Sequence, residues 1–211
     1  VLSFFGIICY MYYLFNKEIN FQFLFLVSFL IYCPYRKLNI MKISTKMKKA
    51  LDDQVALEGA ASNNYLAMAS WCEVIGYQGA ASYFYLQSDE ERTHMIKVIH
   101  YLNDMGATAI IPSIKAPSSS FKSLEDIIKT SLKNEQLVTK AIHKIVEITQ
   151  KEKDHSTYAF VEWFVNEQVQ EETKFETLLQ KFDLIGRDKL AINEIDKILA
   201  VEAASTADST V

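Results

Sequence analysis

The chain has 211 residues, a formal net charge of −4, and half of its residues are hydrophobic. Only 6 glycines and 3 prolines punctuate it, well below average usage of roughly 7% and 5%, which argues against an all-β sandwich or barrel with many tight turns. Mild acidity argues against the basic field of a nucleic-acid binder, and the length suits one domain with an appendage.

Residues 1–40 differ from the rest. They hold 12 of the 26 aromatic residues, and Lys17, Arg36 and Lys37 against Glu18 make them +2, which leaves −6 on residues 41–211. Two apolar runs, 1–15 and 19–33, are split by Asn16-Lys17-Glu18. Neither reaches the ~20 residues of a membrane-spanning helix, and fusing them would bury charges at about 3 kcal/mol each. No basic leader and small-residue cleavage box marks a secretory signal. Met41-Lys42-Ile43 reads as an ordinary cytoplasmic start. The expectation is that 1–40 is upstream translated sequence outside the working protein, with a membrane segment or a cleaved signal as alternatives. Residues 41–211 are then the functional domain, working in the cytoplasm.

That domain reads as helix throughout. A first helix is expected over about 46–74, broken by Gly76 and Gly79. A second covers about 80–105 and stops at Gly106, in the position after a helix that favours glycine. Residues 107–121 form a polar link with Pro112, Pro117 and the run Ser118-Ser119-Ser120. A third helix covers about 124–150, opened by Ser123-x-x-Asp126, which resembles a capping box. A fourth covers about 156–182, a turn at Gly186 follows, and a short fifth reaches about 200 before a frayed tail. Four helices of this length each span about 40 Å. Short links make the first pair and the second pair antiparallel hairpins, while the long link crosses the length of a bundle. The fold class is all-α. No Gly-rich phosphate loop, CxxC or GxSxG is present, and Cys72 is the domain's one cysteine.

Following the apolar stripe of each helix exposes its interruptions. The first reads Leu51, Val55, Glu58, Ala61, Tyr65, Met68; the second Phe84, Gln87, Glu91, His94, Val98. The third reads Ile128, Leu132, Glu135, Val138, Ile142, and the fourth Phe160, Phe164, Gln168, Glu171, Phe175. Spacing of three and four marks the core face of a bundle helix. A carboxylate therefore falls near the centre of all four stripes, and the stripes supply no Lys or Arg beside it. Burying an ionised carboxylate alone costs several kcal/mol. Two cations would satisfy the whole set, and hard oxygens with one imidazole suit Fe, Mn or Zn. Glu91-x-x-His94 places both side chains on one face, as in bundle proteins with dimetal centres.

With Leu57-Glu58, Glu90-Glu91-Arg92-Thr93-His94, Asn134-Glu135-Gln136-Leu137 and Trp163–Gln168, the domain resembles the bacterial non-haem ferritins over about 41–200. The resemblance implies a ferritin-like four-helix bundle with one long crossover between the second and third helices, plus a short fifth helix. It implies a ferroxidase that oxidises Fe2+ with O2 or H2O2 and stores the ferric mineral in a shell of 24 identical subunits. Carried over, Glu58, Glu91 and His94 hold one iron, and Glu91 bridges to a second held by Glu135 and Glu171 with Gln168 close by. Tyr65 falls where the family keeps an electron-donating tyrosine, and Trp163 matches a second aromatic near the site.

A third iron site in the family maps to Glu90, Glu167, Gln170 and Glu171, and here a neutral amide stands where an acid is usual. Haem is not expected: the fourth helix has Gln168-x-x-Glu171 in place of a second Glu-x-x-His, and Arg92 stands where the haem-ligand methionine would fall. His100, His143 and His155 read as surface residues and Cys72 as a packed thiol. Two competing readings remain at this level: a di-iron peroxidase of the rubrerythrin type, and a structural bundle without catalysis.

Overall fold

The computed structural model describes residues 42–209; the expectations for residues 1–40 lie outside the described residues. Five helices follow in order: α1 Thr45–Ile75, α2 Gln78–Asp104, α3 Leu124–Glu152, α4 His155–Ile185 and α5 Lys189–Ser209. No strand occurs among the described residues, and no helix there is long and apolar enough to cross a membrane.

The boundaries follow from local chemistry. Ser44 and Ser123 cap α1 and α3 by accepting from the backbone N–H of Met47 and Asp126. The Asp126 carboxylate reciprocates on Lys122 N–H at 3.3 Å, one residue outside the expected capping box. α1 ends on Gly76 in the left-handed region and α3 on Lys153, also left-handed. The link between α3 and α4 is therefore only Lys153-Asp154, with Asp154 capping Thr157 N–H at 2.9 Å.

Helix directions are fixed by contacts at the ends. Ser44, before α1, bonds Glu152 at the end of α3, and Tyr101 near the end of α2 bonds Thr157 at the start of α4 at 2.8 Å. The crossover begins beside α1, where Asp52 accepts Ile110 N–H at 2.9 Å, and arrives at the opposite end, where Phe121 packs on Trp71. α1 therefore packs antiparallel to α2 and to α3, and α2 antiparallel to α4, as the short and long links predict. The buried apolar side chains form two clusters. One contains Tyr65, Phe84 and Phe175, the other Leu51, Val55 and Phe164.

Two expectations change. The tail is helical as far as Ser209 rather than frayed beyond 201, because Ile195, Leu199 and Ala203 repeat every four residues and are buried. Gly79 does not break the chain but lies in the first turn of α2. Tyr77 offers this helix no side-chain cap. Instead, Asp196 of α5 accepts from Ala80 N–H at 2.8 Å and Gly79 N–H at 3.2 Å, a carboxylate at the positive end of the helix dipole. The approach is so close that a Cβ at Gly79 would lie 1.9 Å from the Asp196 carbonyl oxygen. Gly79→Ala is expected to unseat α5 and lower stability by about 3 kcal/mol, read by urea unfolding; unchanged stability would show that α5 docks elsewhere.

Candidate metal centre

Between the two apolar clusters lies a belt of buried polar side chains. Glu58 and Glu135 are 1% exposed, Glu171 1%, Glu91 2%, and His94 and Gln168 4%. The belt exists because each helix carries its polar interruption at the same height, and helical periodicity turns all four inward. The carboxylate and imidazole atoms of Glu58, Glu91 and His94 lie within 4.8 Å of one another. His94 Nδ1 stands 3.5 Å from Glu91 Oε2, the reach of one helical turn.

On the other side, Tyr65 donates a short hydrogen bond to Glu135 Oε1, and the Gln168 amide donates to Glu135 Oε2 at 3.2 Å. Tyr65 is held between Phe84 and Phe175, at ring-centroid distances of 5.8 and 6.1 Å. Burial, then the Glu135 charge, pushes its phenol well above the ordinary tyrosine range, so it stays a donor. Trp163 meets the His94 ring edge-on at 5.3 Å, and its own face carries Lys97 Nζ at 3.7 Å. Trp163 is 37% exposed, so it bounds the site from the surface side.

The electrostatics are unfavourable for four buried acids so close together. Burial raises Glu58 well above the usual carboxylate range and the Glu91 charge adds to it. Burial likewise raises Glu91, reinforced by Glu135. For Glu135, burial outweighs the hydrogen bonds from Tyr65 and Gln168, and its carboxyl is raised too. Burial lifts Glu171 to about 7 against the pull of Lys174. Glu58 Oε2 is buried with no hydrogen-bond partner among the described residues. A multivalent cation would relieve all of these at once.

The lesser expected residues lie at the rim. Glu90 and Glu167 are half-buried, and their oxygens with His94 form a second group within 4.8 Å. Gln170 is exposed, as are Arg92, His100, His143 and His155. Cys72 is fully buried, and burial pushes its thiol up to about 12, the inert packed thiol expected.

One expectation is corrected. The stripes themselves hold no basic residue, yet Lys174 reaches in from beside the α4 stripe, and its ammonium stands 2.7 Å from Glu171 Oε1. Spacing of three residues on one helix was the available signal. Three other polar partners went unread. Gln54, buried one turn before Glu58, donates to Glu58 Oε1 at 2.7 Å. Gln87 donates to Glu90 Oε2 at 2.5 Å. Thr139 lies 3.4 Å from the Gln168 amide.

Comparison with known proteins gives a consistent picture. A family model described as the ferritin-like domain matches residues 48–185. A probable bacterial non-heme ferritin-like protein of Haemophilus influenzae is 40% identical over 157 residues, covering 74% of this chain and 95% of the relative. A bacterial non-heme ferritin of Staphylococcus haemolyticus is 39% identical over 161 residues, 76% of this chain and 97% of the relative. Among solved structures, an open pore ferritin from Archaeoglobus fulgidus superposes with a TM-score of 0.73 at 35% identity, covering 75% of this chain and 98% of that one.

Proposed function

The chain belongs to the ferritin-like family, and on that premise we propose that it is an iron-storage protein with its own ferroxidase centre. The observation that carries the proposal is the buried convergence of Glu58, Glu91 and His94, with Glu135 and Glu171 in the same polar belt. Iron is the substrate and cargo. Glu58, Glu91 and His94 take one Fe2+. Glu91, Glu135 and Glu171 take the other, with the Gln168 amide steadying Glu135.

Two Fe2+ then give one electron each to O2, which leaves as H2O2 after taking up two protons. With H2O2 as oxidant, the same two electrons and two protons give two waters. Carboxylates favour this direction because they stabilise Fe3+ over Fe2+. Tyr65, protonated and hydrogen-bonded to Glu135, stands where it can lend an electron ahead of one iron and recover it from that iron, its proton passing to that carboxylate and back. The −6 charge of residues 41–211 suits attraction of Fe2+. The relatives' names support storage of the product, which the resemblance assigns to a shell of 24 subunits.

The test is an anaerobic Fe2+ titration of the full chain, followed by air, with the elution volume recorded. Expected are saturation near two Fe2+ per subunit, oxygen uptake on admission of air, and elution as a large assembly. A chain that binds no Fe2+, or takes up oxygen no faster than free Fe2+, would overturn the proposal.

A further inference from the structure

We propose that Lys174 is a tethered counter-cation of the metal centre: its ammonium holds the Glu171–Glu90 side closed, the second iron must displace it, and it denies a third iron a place there. The inference rests on the proposed function in one respect, that cations bind at Glu91, Glu135 and Glu171.

Lys174 Nζ donates to Glu171 Oε1 at 2.7 Å and lies 3.7 Å from Glu90 Oε2. The Glu171 side chain is 2% exposed and that of Lys174 is 36%. The lysine therefore carries charge from the surface down to a buried oxygen, its stem lying along the helix.

Its position matters because of what lies outside. A cavity of about 490 Å³ opens between α2, α4 and α5, lined in part by Tyr83, Gln87, Glu90, Gln170, Lys174 and Glu202. The buried Tyr83 hydroxyl and Gln87 Oε1 in its lining have no hydrogen-bond partner among the described residues. The lining is otherwise largely apolar, so these atoms and the Glu90 carboxylate are among the polar partners a hydrated ion would find there, and Lys174 stands between this cavity and Glu171. An ion arriving by this route meets the ammonium on the very oxygen it needs.

An ammonium and a divalent ion on one carboxylate repel each other at this range. Fe2+ wins on charge and directional bonding, and the flexible four-carbon stem lets the ammonium swing out towards Glu90 and solvent. The same ammonium contests the outer group of Glu90, His94 and Glu167. Glu90 is already engaged by Gln87, and Gln170 adds no charge. The outer group is thereby left with Glu167 as its one uncontested acid, too little charge for a third divalent ion.

The test is calorimetric Fe2+ titration under anaerobic conditions of the full chain, Lys174→Gln, Lys174→Glu, and Lys140→Gln as a control at an exposed lysine of α3. Wild type and the control are expected to saturate at two ions. Lys174→Gln should bind the second ion about tenfold more tightly, because no ammonium has to leave. Lys174→Glu, which adds an acid to the rim, should bind a third. Lys174 variants with wild-type affinity and stoichiometry would overturn the inference while leaving the proposed function intact, and so would a wild type that binds three ions. A wild type that binds none would remove the proposed function itself.

Discussion

Replacing Glu91 and His94 together by alanine is expected to lower the rate of Fe2+ oxidation at least about 100-fold, since even outer partners of a metal site are worth 10–100-fold. The two side chains project from one turn of α2, and with Glu58 they form the most buried candidate ligand group among the described residues. Glu91 also faces the charge of Glu135, so its loss removes the group proposed to join the two metal positions. Folding must be separated from chemistry, and Glu91→Gln does this because it keeps the shape. In the metal-free protein it removes a buried acid crowded by other acids, so the melting temperature should rise, equivalent to about 1–2 kcal/mol. Oxidation should fall in the same variant. A site selected for function commonly costs stability in this way. Oxygen uptake and thermal melting on the same samples check it. A variant that oxidises Fe2+ at the wild-type rate would defeat the assignment of Glu91.

Metal-free protein is expected to be most stable at mildly acidic pH and to lose stability as pH rises from about 4.5 to 7. Glu171 has its folded value raised from 4.5 to about 7. Between those values it is ionised in the unfolded chain and protonated in the folded one. Its stabilising effect is complete below 4.5 and gone above 7, and that separation corresponds to at most ~3.4 kcal/mol. Glu58, Glu91 and Glu135 are raised as well and act in the same direction. Lys174 is raised from an already high value, so its contribution is constant across this window. Glu125 is held down to about 2 by hydrogen bonds from Arg187 and Lys129, and the stability it provides is lost only below the window. Saturating Zn2+, which is redox-inert and takes similar ligands, should reverse the trend, because metal competes with protons and stabilises the folded state by mass action. Melting temperatures at pH 5.5 and 8, with and without Zn2+, decide it. A metal-free melting temperature that climbs with pH would show that the belt is ionised and otherwise compensated.

Much of the centre was legible in the sequence, for a specific reason. Glu58, Glu91, Glu135 and Glu171 each interrupt a stripe whose other members must be buried, so burial of the acid followed from its neighbours. His94 came with Glu91 through the three-residue spacing. Lys174 was not legible in the same way, because it lies beside the stripe and reads as a surface residue. Only its stem length and the open groove beside α5 let the ammonium reach a buried oxygen. Gln54 and Gln87 were hidden differently. Amides on a core face have no charge to demand a partner, so their bonds to Glu58 and Glu90 emerge only once rotamers are packed.

The sequence by itself determined the helices, their hairpins and crossover, and the height of the polar belt, because helical periodicity and chain connectivity are local properties written at fixed spacing. The tertiary structure alone decided which oxygens face each other. It paired Tyr65 with Glu135, placed Asp196 on the first turn of α2, turned a glycine expected to break the chain into the seat of α5, and set Lys174 against Glu171. Those outcomes depend on how far one helix is shifted and rotated against another, a sum of many small packing terms that no single spacing along the chain records.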